Sequence, residues 1–330
     1  MIFRLDISLF ESESLWLDIE SLINHVSKSD RHKILRPNET SQKFNEWWEG
    51  LSKKRQYFFH QIFSTSDRIS FQSLQCPIYS VASVEKKNTI SIDIALNLVS
   101  LPFKIYVENA RNDKNFINFF CKSENKDKFF NYCQRKEIEF VNGGGIDELE
   151  KIIIEGDVDT SYSFFVFDRD SLPFQEDSRQ SKSLKQICME RNIKYHQLNR
   201  RCIENYLPKQ SLIKLIEIRS GKKKTEFRKK VHTFLSLNCE NVIHNFNMKT
   251  GVNGDISRIS QLKLTLDDVY KLSSISIKQR EILADGFSKG ISIAYKESES
   301  NFRLKESEII KDRKAYDEVN QIIDNILRIL

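Results

Sequence analysis

Two carboxylates one residue apart, Asp168 and Asp170, close the apolar run Phe164-Phe165-Val166-Phe167. A run this rich in Val and Phe reads as a strand buried on both faces. In open α/β sheets, ligands bind just beyond the carboxyl ends of such strands. Acids placed there with a strand-like spacing can turn their oxygens toward one point. Crowded ionised carboxylates repel unless a cation sits between them, and hard oxygen donors suit a divalent ion such as Mg²⁺ or Mn²⁺. A lone Asp-x-Asp is weak evidence, because surface strand ends often carry acids by chance. Its weight depends on what other strands bring to the same edge.

The flanking pattern alternates strand and helix. Lys104-Ile105-Tyr106-Val107 reads as a first strand ending at Glu108, with Asp113 five residues on. A helical stretch follows, with Phe116, Ile117, Phe119 and Phe120 apolar. Ile138-Glu139-Phe140-Val141 reads as a second strand, ending in Asn142 and the triplet Gly143-Gly144-Gly145. A helix then begins near Ile146, the opening run forms a third strand, and residues 194–198 form a fourth, followed within a turn or so by Glu204. Strands separated by helices of this length predict parallel pairing with right-handed crossovers. All the strand ends then lie on one edge, where Glu108, Asp113, Asp168, Asp170 and Glu204 converge as candidate metal ligands. The glycine triplet marks a tight turn or a close approach. Its amides, at a helix N-terminus, can hold a phosphate or simply cap the helix, two readings of equal weight.

The rest of the chain frames this segment. Residues 1–76 read as helical: Leu15, Ile19, Leu22, Ile23 and Val26 mark one apolar face, and Trp47, Trp48, Tyr57, Phe58, Phe59 and Phe63 an aromatic cluster, read as packed core rather than a stacking platform. Residues 77–102 read as a β-hairpin and linker packing on the sheet, residues 103–210 as the α/β domain, and residues 211–330 as a helical, highly charged region. In that region Lys222-Lys223-Lys224 and Arg228-Lys229-Lys230 form a basic segment, residues 251–255 a turn, and Val319, Ile322, Ile326 and Ile329 a narrow apolar stripe suited to docking on the body of the molecule. The 330 residues carry a formal net charge of +6, with 39% hydrophobic and 30% charged residues, which fits a folded chain and is compatible with a polyanionic partner. No stretch approaches transmembrane length, and the start lacks a signal-peptide pattern, so a cytoplasmic protein without a membrane partner is expected. The six cysteines (Cys76, Cys121, Cys133, Cys188, Cys202, Cys239) form no CxxC pair and read as reduced thiols.

The order Val-Glu-…-Asp, a Gly-rich turn, Phe-Asp-Arg-Asp and then Ile-Glu-Asn-Tyr-Leu resembles the TOPRIM domain, and more closely the OLD-type nuclease branch with its relatives in bacterial anti-phage systems. The likeness covers roughly residues 103–210. It implies a Rossmann-like fold and a divalent-metal-dependent endonuclease, with Glu108, Asp168, Asp170 and Glu204 catalytic and two Mg²⁺ or Mn²⁺ ions held by these acids and Asp113. It implies a nucleic-acid substrate, DNA rather than RNA, and is compatible with a homo-oligomer. Arg111, Arg200, Arg201 and Lys249 are candidate cations for developing charge or for the nucleic-acid backbone, each equally readable as a solvated charge. Relatives usually have Gly straight after the Glu and a spacing to the Asp one residue shorter than here. OLD proteins usually carry an ATPase domain, whereas this chain has no GxxxxGK[ST], so nucleotide-driven control would come from a separate ATPase. Three competing readings are a catalytically silent module that regulates such a partner, a Mn²⁺-dependent Asp-x-Asp glycosyltransferase, and a primase- or topoisomerase-like activity.

Overall fold

The computed structural model describes the chain except residues 40, 69–77, 87–88, 122–125, 157–161, 289, 297–303, 305 and 310 and the side chains of Lys126, Glu306 and Ser307. Cys76 therefore lies outside the described residues; Cys133, Cys188, Cys202 and Cys239 are free thiols. The chain divides into two compact units, residues 1–103 with 324–330, and residues 104–323.

The first unit is α/β, not helical. Strands β1 (Ile2–Leu5), β2 (Lys33–Leu35), β3 (Ile78–Ala82) and β4 (Thr89–Ser91) form one sheet in the order β2-β1-β3-β4. Helices α1 (Trp16–Ser27), α2 (Gln42–Gly50), α3 (Lys53–Asp67) and α4 (Ile92–Ser100) complete the unit. The first two strands are three or four residues long, too short for their alternation to stand out from the helical pattern around them. The expected hairpin is a parallel pair: Ser80, Val81 and Ala82 lie opposite Thr89, Ile90 and Ser91 in the same direction. The clean alternation of residues 90–94 is misleading, because Ser91 caps a helix. Its hydroxyl accepts from the Ile94 amide at 3.3 Å, and α4 starts at Ile92. Of the aromatic cluster, Trp47, Phe59 and Phe63 are core, whereas Tyr57 and Phe58 are exposed.

The second unit contains β5 (Phe103–Val107), β6 (Ile138–Asn142), β7 (Ser163–Phe167) and β8 (Tyr195–Gln197), in the order β6-β5-β7-β8. β5 pairs with β7, and β7 with β8, in parallel. Every residue of β7 is buried, as a central strand covered on both faces must be. On one face Tyr106 stacks on Phe165 at 4.6 Å within a cluster that includes Leu149, Ile153, Leu184 and Cys188. Those partners come from α7 (Ile146–Glu155) and α8 (Arg179–Glu190), whereas α5 (Ala110–Phe120) and α6 (Lys126–Gln134) connect β5 to β6. The chain leaves β5 toward β6, then crosses back to place β7 on the opposite side. The gap between the ends of β5 and β7 is therefore the switch point, where an open α/β sheet leaves a crevice.

Residues 211–323 belong to this same unit. They form α9 (Lys209–Glu217), α10 (Gly221–Leu235), α11 (Glu240–Asn245), α12 (Gly251–Gln261), α13 (Leu266–Val269), α14 (Ile277–Ile282), α15 (Glu306–Ile309) and α16 (Arg313–Ile329), the last running into the first unit. The segment 251–255 is the first turn of α12 and not a free turn. The stripe Val319, Ile322, Ile326 and Ile329 is buried. No helix among the described residues is long and apolar enough to cross a membrane.

A buried polar network fastens α16 to the end of β8. The Glu318 carboxylate accepts from His196 Nε2 at 2.9 Å, the Asn199 amide at 2.8 Å and the Tyr206 hydroxyl at 2.8 Å, while that hydroxyl accepts from the Arg200 amide at 3.0 Å. Tyr206→Phe leaves both the carboxylate and the amide short of a partner in a buried place. We expect it to destabilise the fold by about 1–3 kcal/mol, read as a lower urea midpoint at unchanged slope.

Candidate metal centre at the switch point

Glu108 is the first residue past β5, and Asp168 the first past β7. Their ends are tied directly, since Glu108 Oε1 accepts from the Asp168 amide at 2.9 Å. The Asp168 carbonyl in turn accepts from the Ser181 hydroxyl at 2.9 Å, which anchors it to α8. Asn109 caps α5: its side chain accepts from the Asn112 amide at 3.1 Å, and Asp113 Oδ2 accepts from the Asn109 amide at 2.7 Å. Asp113 thus spends one oxygen on a reciprocal cap and keeps the other free of that duty. Glu204 sits in the 3₁₀ turn Ile203–Tyr206 and is fully buried. Its Oε1 lies 3.2 Å from Lys249 Nζ, and its Oε2 is buried with no hydrogen-bond partner.

Glu108, Asp113, Asp168, Glu204 and Lys249 line one cleft of about 290 Å³, together with Asn109, Asn112, Asn142, Ile203, Gly144 and Gly145. The glycines shape its floor. Gly144 and Gly145 have φ of +78° and +116°, backbone that a side chain disfavours. Gly143 leaves no room at all, since a Cβ there would stand 2.2 Å from Leu149 Cδ2, so α7 could not pack as it does. The Gly143 amide donates to the Val107 carbonyl at 2.7 Å and the Gly144 amide to the Glu108 carbonyl at 3.1 Å. Those two amides are therefore engaged inside the fold, which favours the turn-and-capping reading of the triplet over a phosphate cradle. The asparagines escaped the sequence reading. Asn109 carried a signal for its cap, standing directly before a helical pattern, but none for its place in the cleft.

Asp170 behaves differently from its neighbour. The strand stops at Phe167, and Asp170 turns left-handed, with φ of +55°. Its amide donates to the Arg201 carbonyl at 2.8 Å, and its half-exposed carboxylate lies 3.8 Å from Arg201 Nε. Strand alternation therefore does not aim the two aspartates at one point, and Asp170 does not line the cleft. Asp is among the few residues that adopt this backbone readily. Among the candidate cations, only Lys249 lines the cleft. Arg200 is buried, donating to the Asn205 carbonyl at 2.9 Å and to Asp312 at 2.6 Å. Arg201 is buried in a two-pronged pair with Asp255 at 2.8 and 2.7 Å. Both guanidinium groups are consumed in holding the fold and cannot also serve a nucleic-acid backbone. Arg111 is exposed on α5, away from the cleft lining. A larger cavity of about 580 Å³ shares Glu204 but has none of Glu108, Asp113 and Asp168; of its other acids, Glu240 is paired with Lys314 and Asp312 with Arg200.

Electrostatics show how crowded the cleft is. Burial, with Asp113 and Asp170 nearby, pushes the Glu108 carboxyl up to about 7, against the lowering effect of its hydrogen bond from Asp168. Burial and Glu204 push Asp113 up to about 7, and burial with Glu108, Asp113 and Glu204 holds Asp168 well above the carboxylate range. Burial alone would lower the Lys249 ammonium, yet Glu204 and Asp168 outweigh it and hold its proton more tightly. One ammonium thus faces four carboxyls. Among the described residues no three His, Cys, Asp or Glu side chains already stand close enough to share one ion. An ion here would draw on one or two carboxylates, with water or phosphate oxygens completing its shell, which is how Mg²⁺ usually binds. The unpartnered Glu204 oxygen fits such an ion.

No family model, no curated protein and no solved structure matches the chain. The likeness to TOPRIM nucleases therefore rests on the order of the sequence motifs alone.

The raised carboxyls set a sign for stability. In the folded state Glu108 and Asp113 keep their protons up to about pH 7, against ordinary values of 4.5 and 3.8. The folded chain then binds more protons than the unfolded one between those limits, so stability falls as pH rises through that window and levels off above it. We expect the melting temperature in EDTA to drop from pH 4.5 to 7 on account of these groups, and Glu108→Gln to flatten that drop. Added Mg²⁺ should restore stability most strongly at the alkaline end.

Proposed function

We propose that the chain is a divalent-metal-dependent nuclease that cleaves phosphodiester bonds. The observation that carries this reading is the gathering of Glu108, Asp113, Asp168 and Glu204 around a single Lys249 in one cleft at the switch point. Carboxylates this crowded are poor partners for one another and good partners for Mg²⁺ or Mn²⁺. Bound there, one or two ions would stabilise the attacking and leaving oxygens of an in-line displacement at phosphorus. Asp168 and Glu204 are the residues best placed to hold an ion, with Asp113 contributing its uncapped oxygen. Glu108 orients or deprotonates the attacking water. Lys249 offsets charge on the phosphoryl oxygens and pairs with Glu204. Asp170 acts from beside the cleft, adding negative potential near Glu108. The nucleic-acid substrate, with DNA preferred, and a role as the effector of an anti-phage system governed by a separate ATPase come from the resemblance described above. The contrary reading, a silent module that regulates such an ATPase, draws support from the lack, among the described residues, of three ligands already assembled at one point.

Purified protein incubated with plasmid, linear DNA and RNA decides between them. Cleavage is expected with Mg²⁺ or Mn²⁺ and none with EDTA. Asp168→Ala should reduce the rate on the order of a hundredfold or more. Unchanged cleavage in that variant would assign the nuclease to a contaminant or to other residues, and loss of defence in cells without any cleavage would favour the silent module.

A further inference from the structure

The basic segment of α10 has no part in the cleft lining, and its chemistry asks for a partner. The helix runs GKKKTEFRKKVHTFL, six cations against one acid, Glu226. Its apolar face is fully used, with Phe227, Val231 and Phe234 buried and Phe234 packed 5.5 Å from both Phe246 and Phe287. Lys222, Lys223, Arg228 and Lys229 are exposed. Elsewhere the fold compensates such charges: Lys43 pairs with Glu46, Arg55 with Glu20, Lys151 with Glu148 and Lys182 with Glu176. Among the described residues, none of the six α10 cations stands in an ion pair within the chain. A helix held rigidly by its aromatic face and left with an uncompensated row of cations presents a fixed positive stripe, the electrostatic footprint of a polyanion site.

We propose that the exposed face of α10 binds the phosphate backbone of nucleic acid, independently of base sequence. The observations favour this over a lipid surface. A membrane-binding helix buries an apolar face among acyl chains, but the exposed positions of α10 are Gly, Lys, Thr, Glu, Arg and His, with no apolar side chain to insert. The inference rests on the nuclease reading only for the identity of the polyanion, and it supplies the substrate contact that buried Arg200 and Arg201 do not provide.

The test measures binding without cleavage. Fluorescence anisotropy with a labelled DNA duplex in EDTA, between about 50 and 200 mM salt, should show affinity falling steeply with salt. Replacing Lys222, Lys223, Arg228 and Lys229 together by Ala should weaken binding at least about tenfold at the low-salt end and make the salt slope shallower by roughly 0.9 for each phosphate no longer neutralised. The pair Lys222→Gln with Lys229→Gln serves as a milder variant that keeps side-chain bulk. A control pair on another helix, Lys53→Ala with Lys54→Ala, removes the same net charge and should leave binding nearly unchanged. Equal losses in both pairs, unchanged affinity in the four-site variant, or α10-dependent binding to phosphatidylserine vesicles but not to DNA would each overturn the proposal. Cleavage is read separately, with Mg²⁺ present, so failure of the surface and failure of the nuclease reading show up in different measurements.

Discussion

Like-charge repulsion among crowded, wholly or partly buried carboxylates is the constraint around which the second unit is built. Glu108 and Asp113, Asp168, and Glu204 arrive from three separate stretches of chain at one cleft, and one ammonium, Lys249, offsets them. Left so, the cluster disfavours its own ionised form, which is why burial and mutual repulsion drive three of these carboxyls upward. A fold does not gather uncompensated acids for stability, since well-packed apolar residues would serve better. The arrangement makes physical sense when a cation completes it, and binding of that cation must then displace protons.

The surrounding structure holds the acids where repulsion would push them apart. Glu108 is pinned through the Asp168 amide, Asp113 through the α5 cap, and Asp168 through Ser181. Glu204 is fixed by what brackets it. Arg201 is clamped on Asp255, which also accepts from the Tyr270 hydroxyl at 2.6 Å; Asn205 donates to the Ile243 and Phe246 carbonyls at 3.0 Å; and Tyr206 reaches Glu318. The Arg-Arg-Cys-Ile-Glu-Asn-Tyr run is thus a scaffold with a single chemical residue at its centre. Its two arginines work as struts, and their burial explains why they are out of reach of a substrate.

The strand order of the second unit was legible because β5, β6 and β7 are five-residue strands with strong apolar signals and helices of ordinary length between them. Acids at strand ends follow from that pattern, so Glu108 and Asp168 could be placed from sequence alone. Glu204 could be placed through its distance from β8. Asp170 could not, because its left-handed turn depends on a backbone hydrogen bond to Arg201, thirty-one positions away, which no local pattern announces. Lys249, which reaches the cleft from the loop before α12, is one of the four basic candidates the sequence offers, but nothing in its spacing singles it out from Arg111, Arg200 and Arg201. In the first unit the strands at Ile2 and Lys33 are too short to read, and the parallel β3–β4 pair looks like a hairpin because alternation reports strand character but not direction.

If the cleft holds a divalent cation through these acids, calorimetry should see it without any substrate present. Mn²⁺ titrated into the metal-free protein, with Asp168→Ala and Glu204→Gln alongside, should give saturable binding by the wild-type chain, abolished by Asp168→Ala and weakened by Glu204→Gln. Absence of binding with or without added nucleic acid, or binding indifferent to both substitutions, would contradict a metal centre at the switch point.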